Sequence, residues 1–213
     1  MTISRPVRWA AYAGTAAADT IAAASGSRRL RWFTKPALMP LLAVAVGAGA
    51  PRGALAGSWA GDVALLSSGD LPLAGGIAGF AAAHVAYLRA LRGLRPDRPA
   101  ERERLAAIGF AATAVAATAA IWPRLADRSA LCVPVGAYVA LVTAMGHAAV
   151  VNGMRRRDTA GLAMAAGGVL FVLSDGLVAF ALFGGPHEGT RAVTVEGGVM
   201  ATYTGAQALL GAR

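Results

Sequence analysis

The stretch TAGLAMAAGGVLFVLSDGLVAFALFG, residues 159–184, carries one ionisable side chain, Asp175, among 26 residues. As an α-helix it rises about 39 Å, more than the roughly 30 Å hydrocarbon core of a bilayer. It reads as a membrane span. A carboxylate near the centre of such a span costs at least about 2.5 kcal/mol on insertion scales, so Asp175 needs a reason to be there.

The rest of the chain agrees with that reading. Of 213 residues 56% are hydrophobic and only 15% charged, and the mean hydropathy is +0.55, far from the balance of a soluble domain. Apolar blocks of span length recur at about 7–25, 35–50, 53–69, 72–92, 105–122, 131–151, 159–184 and 191–211. They predict one all-α domain over residues 1–213, a polytopic bundle of about eight transmembrane helices. The separators, such as RGLRPDRPAERER and MRRRD, are rich in Gly, Pro and Arg and too short to hold another domain. The first block follows Arg5 and Arg8 and ends in AAASGS like a signal peptide. Asp19 within it and the blocks behind it argue for a retained span.

The net charge of +9 would suggest nucleic acid in a soluble protein. Here the arginines gather between apolar blocks without interleaved aromatics, which excludes a nucleic-acid partner and points to lipid headgroups. An even number of spans puts both termini on one side, and 13 of the 20 basic residues fall there. The positive-inside rule then predicts cytoplasmic termini in a bacterial-type inner membrane. One cysteine, Cys132, excludes an intrachain disulfide. Nothing in the chain sets an oligomeric state.

Six ionisable groups fall at membrane depth: Asp19, Asp62, His84, His147, Asp175 and Glu196. Such groups usually face a bundle interior and mark function, although Asp19 and Glu196 could equally serve helix-to-helix hydrogen bonds. Glu196, Met200, Tyr203 and Gln207 share one helical stripe, Ser58 and Asp62 are i and i+4, and His84 and Tyr87 are i and i+3. In TKPALMPLL, residues 34–42, Thr34 reads as a cap, Pro36 as a first-turn residue and Lys35 as a cation at the membrane edge. Lys35 could snorkel or hold a phospholipid phosphate. The pairs Gly57/Gly61 and Gly75/Gly79 predict close helix packing.

The ordered set of TKPALMPLL, GSWAGDVALL, GFAAAHVAYL, GGVLFVLSDGLVAF and MATYTGAQALL resembles the YhhN-type lysoplasmalogenase family along nearly the whole chain. The resemblance implies a multispanning membrane hydrolase acting on a lysophospholipid. Its bond would be the vinyl ether of a lysoplasmalogen, its products a fatty aldehyde and a glycerophospho-alcohol. It carries over Asp62 and Asp175 as catalytic residues, and Lys35, His84, Tyr87, Tyr203 and Gln207 as substrate-binding ones. Vinyl ether cleavage starts by protonating the carbon β to oxygen and passes through an oxocarbenium ion. One carboxyl would donate the proton while the other stabilises the cation and orients water. On this reading Asp62 is the acid, and no metal or cofactor is needed. A proton-coupled transporter or lipid-binding protein is the main alternative, and a zinc-dependent lipid hydrolase a further one.

Overall fold

The computed structural model describes residues 3–91, 100–183 and 190–212. His187, the connections at 92–99 and 184–189, and Arg92, Arg95, Arg98 and Arg213 of the orientation count lie outside them. Eight helices follow in order: α1 Arg5–Ala24, α2 Arg28–Val46, α3 Arg52–Ala64, α4 Asp70–Leu91, α5 Glu101–Ile121, α6 Ser129–Arg156, α7 Thr159–Phe183 and α8 Thr190–Gly211. Short 3-10 turns, Gly47–Gly49 and Trp122–Arg128, follow α2 and α5.

Five of these helices, α2, α4, α5, α6 and α7, are long and apolar enough to cross a membrane. The eight expected spans are therefore met as helices but not all as apolar crossings. With 13 residues, α3 rises only about 20 Å. In α1 and α8 the polar side chains turned into the bundle, Tyr12 and Asp19 in one and Tyr203 and Gln207 in the other, are buried and dilute the hydropathy. Large apolar side chains such as Phe33, Leu71, Val115 and Leu162 remain on the outer surface, as a lipid-facing exterior requires.

Neighbouring helices close a ring in the order α1, α2, α3, α4, α6, α7, α8 and back to α1. Outside the ring, α5 packs chiefly on α6. The interior of the ring is the core, with Leu38, Met39, Tyr87, Met145, Phe171 and Met200 almost wholly buried.

Small residues set how tightly the ring closes. A Cβ on Gly79 would lie 2.5 Å from the Gly61 nitrogen, and one on Gly57 2.6 Å from the Ala83 nitrogen. The backbones of α3 and α4 thus touch, as the glycine pairs predicted, although Gly75 itself meets only the Ala64 Cβ at 3.4 Å. A similar approach joins α6 to α7, where a Cβ on Gly168 would meet that of Ala149 at 2.6 Å.

Two prolines lie inside α2, Pro36 and Pro40. Having no N–H, Pro40 leaves the Pro36 carbonyl without its helical donor. Trp59 of α3 supplies one, its indole N–H donating to that oxygen at 2.9 Å. At the end of α2, Arg8 of α1 donates to the Val44 carbonyl at 2.9 Å, satisfying one of the last-turn acceptors.

The start of α2 corrects the sequence reading. The helix begins at Arg28, not near Lys35, because Arg and Leu are good helix formers. Thr34 and Pro36 are consequently interior residues rather than cap and first turn, and Lys35 sits two turns inside the helix, buried.

Candidate active site

Besides α1, the six other helices of the ring place polar side chains toward its interior in three hydrogen-bonded groups. In the first, Asp62 near the end of α3 is held from two sides. Lys35 Nζ of α2 lies 3.4 Å from Asp62 Oδ1, and the Tyr203 hydroxyl of α8 donates to Asp62 Oδ2 at 2.6 Å. The second group joins α4, α6 and α7. The Tyr138 hydroxyl donates to Asp175 Oδ2 at 2.7 Å, while His84 Nε2 stands 3.4 Å from the same oxygen and 3.2 Å from the Tyr138 hydroxyl. In the third, Tyr87 donates to Gln207 Oε1 at 2.6 Å, and Gln207 Nε2 donates to the Ser58 hydroxyl at 2.8 Å.

A cavity of about 150 Å³ connects the first two groups, lined by Lys35, Asp62, Tyr138, Ser174, Asp175 and Tyr203 at its polar end. Apart from Thr113 and Thr143, whose hydroxyls bond carbonyls of their own helices, the remaining wall is apolar, including Leu73, Ile77, Ile121, Val135, Leu182 and Phe183. These wall residues come from the starts of α4 and α6 and the ends of α5 and α7. The cavity therefore runs from a polar floor inside the ring to a greasy end at one side of the bundle.

The two carboxylates face this cavity differently. Both oxygens of Asp62 are engaged, and its side chain is 2% exposed. Both contacts of Asp175 fall on Oδ2, and its side chain is 16% exposed. One oxygen of Asp175 is thus left for whatever occupies the cavity. Phe171 lies edge-on to both His84 and Tyr203, at 4.7 and 5.7 Å between ring centroids, and fixes the rings between the two groups.

The expected site residues are accordingly divided. Lys35, Asp62, Asp175 and Tyr203 line one cavity, and His84 supports Asp175 from behind. Tyr87 and Gln207 instead pair with each other and with Ser58, away from the cavity lining. The two aspartates do not form a direct pair but two separately held groups. Glu196 leaves the predicted stripe: its side chain is half exposed and bound by Arg31 at 2.8 Å, because the first turns of α8 reach past the buried interior. Asp19 is fully buried, accepting the Thr34 hydroxyl at 2.5 Å with Arg31 Nε 4.0 Å away.

Tyr138 was not foreseen. A signal existed, since all four tyrosines lie in apolar blocks, where each hydroxyl needs a partner. Among the described residues no three His, Cys, Asp or Glu side chains converge as a metal site would require.

A family model described as the YhhN family matches residues 30–213. The chain belongs to the YhhN family. At the coarse level the family is that of lysoplasmalogenase-like membrane proteins, associated with hydrolase activity. No curated protein and no solved structure matches the chain significantly. Both carboxylate groups and the cavity lie within the YhhN match, whereas α1, with Tyr12 and Asp19, precedes it.

Proposed function

We propose that this YhhN protein hydrolyses the vinyl ether bond of a lysoplasmalogen, releasing a fatty aldehyde and a glycerophospho-alcohol. The observation that carries the reading is the unequal presentation of two carboxylates across one largely apolar cavity. Hydrolysis of a vinyl ether needs a proton donor that reaches carbon and an anion that faces the resulting cation.

Asp175 suits the donor. Its Oδ1 is open to the cavity, and the His84 and Tyr138 contacts to Oδ2 hold the carboxyl in one orientation. The proton passes from Asp175 to the carbon β to the ether oxygen, and the electron pair of the double bond leaves a cation shared between the adjacent carbon and oxygen. Asp62, with the Lys35 ammonium at one oxygen and the Tyr203 hydroxyl at the other, faces that cation. Water adds to the cationic carbon, and its proton returns to Asp175. The hemiacetal then breaks at the carbon–oxygen bond to glycerol: the glycerol oxygen takes the Asp175 proton, the hemiacetal hydroxyl gives its own proton back to Asp175, and aldehyde is released. This division of labour reverses the one expected from sequence, where Asp62 is the acid.

The same proposal makes the lysophospholipid the partner, reached through the bilayer of a bacterial-type inner membrane with both termini cytoplasmic, on the strength of the basic-residue bias. Lys35 acts on Asp62 rather than on a phosphate headgroup.

The test is aldehyde release from lysoplasmalogen by the purified protein, beside ester-linked lyso and diacyl analogues, carried out in D2O with rapid reduction of the aldehyde. One deuterium on the carbon next to the former carbonyl is expected, together with no turnover of the ester analogues. Release of fatty acid from the esters, or aldehyde without deuterium, overturns the mechanism.

A further inference from the structure

Because α5 stands outside the ring, it leaves a seam with α7. Along α5 the residues Gly109, Phe110 and Thr113 face the seam, and along α7 Val169, Val172 and Gly176 face it, at helical spacings that put each set on one side of its helix. Between them runs an open groove of about 540 Å³, within the roughly 300–1,000 Å³ range of small-molecule sites.

The chemistry of this groove is uniform. No charged residue lines it, and its single polar side chain, Thr113, spends its hydroxyl on the Gly109 carbonyl of its own helix at 2.9 Å. A groove without a free donor or acceptor, on the flank of a membrane bundle, selects hydrocarbon. Thr113, Val172 and Gly176 also line the interior cavity, so the groove and the cavity adjoin at these three residues, the last of which follows Asp175 in sequence. At Gly109 and Gly176 an added Cβ would meet nothing within 4 Å. Helix packing therefore does not demand these glycines, and the backbone at both is open to the groove.

We infer that the α5–α7 groove is a binding site for a single hydrocarbon chain of a lipid, which enters laterally from the bilayer and delivers its head-proximal end past Thr113, Val172 and Gly176 to the cavity. That the chain is a vinyl ether rests on the hydrolase reading; the groove itself does not. Packing α5 on α6 while barely touching α7 lets the seam admit a chain without breaking the ring.

Two measurements on the full-length protein test this. In the first, Gly109→Trp fills the groove from a position that does not itself line the cavity, and Val115→Trp, on an exposed part of the same helix, is the control. Turnover of a long-chain lysoplasmalogen relative to a short-chain, water-soluble vinyl ether should fall about tenfold or more in Gly109→Trp and stay level in Val115→Trp. An unchanged ratio in Gly109→Trp overturns the groove while leaving the hydrolase reading in place.

The second measurement does not depend on turnover. A lysophospholipid with a diazirine in its chain is photolysed with the protein in nanodiscs, and labelled residues are mapped. Labelling of the facing sides of α5 and α7 should saturate, be competed by excess unlabelled lysophospholipid and be lost in Gly109→Trp. Labelling that is unsaturable and equal on all lipid-facing helices overturns the proposal. If wild-type protein releases no aldehyde from any vinyl ether, the hydrolase reading falls and the labelling alone decides the groove.

Discussion

Replacing Lys35 by methionine removes the ammonium that faces Asp62 and keeps most of the side-chain volume. The two groups are 3.4 Å apart with side chains 8% and 2% exposed. At an effective dielectric near 20 that separation corresponds to an attraction of about 5 kcal/mol, part of which offsets the desolvation of both charges. Removing one partner leaves the other charge buried without compensation, which costs about 3–5 kcal/mol. Lys35→Met should therefore unfold well below the wild type, and adding Asp62→Asn to it should recover much of the loss. The assay is thermal and denaturant unfolding of wild type, both single variants and the double variant in one detergent. The interaction energy is expected near the top of the roughly 0.5–3 kcal/mol range of contacting residues. Additivity within about 0.5 kcal/mol refutes the reasoning. So does a Lys35→Met protein of wild-type stability whose only defect is a raised KM for phosphate-headed lipid, because the lysine would then be a headgroup ligand.

Other outcomes follow from the same geometry. Asp175→Asn should lower aldehyde release about 10²–10⁴-fold, the usual contribution of a positioned acid, with an unchanged unfolding midpoint. Gly79→Ala sets a Cβ 2.5 Å from the Gly61 nitrogen and should cost at least about 1–3 kcal/mol by overpacking, whereas Gly75→Ala should stay within about 0.5 kcal/mol; equal effects on unfolding would contradict the α3–α4 contact. Trp59→Phe leaves the Pro36 carbonyl without its donor and should cost about 1 kcal/mol, read from the same unfolding curves. Asp158 accepts the Gly161 N–H at 2.6 Å and lies beside Arg156, and Arg156 and that N–H hold its carboxyl below the ordinary aspartate range. Its contribution to stability is present above about pH 4 and lost as pH falls through the lowered folded value. Asp158→Ala should differ from wild type at neutral pH and converge with it in acid.

The eight helices and most of the polar side chains in their interior could be read from the chain because lipid makes the signal local. In the block around Asp175, a long apolar run with one carboxylate needs no knowledge of its neighbours. The start of α2 was misread because Arg28, Arg29 and Arg31 look like a loop. They are helix formers, and Arg31 is drawn inward by Asp19 and Glu196 from two other helices. The stripe through α8 was right for Met200, Tyr203 and Gln207 and wrong for Glu196, since periodicity does not say where a helix leaves its neighbours. Tyr87 and Gln207 were legible as polar interior residues but not as partners of one another, 120 positions apart. Tyr138, alone among valines and alanines, gained its meaning only when α4 and α7 were brought against α6.

The closure of the ring by α1 against α8 bears on how the protein is made. The Tyr12 hydroxyl donates to the Thr204 carbonyl, 192 residues later. At about 5–20 residues per second of synthesis, α1 waits some 10–40 s for that acceptor, with its tyrosine unsatisfied on the α8 side. Tyr203, which holds Asp62, arrives with the same helix. A nascent chain stalled before α8 therefore has both aspartates but neither the Tyr203 hydroxyl nor the α8 wall of the cavity, and the site stays incomplete until α8 has packed.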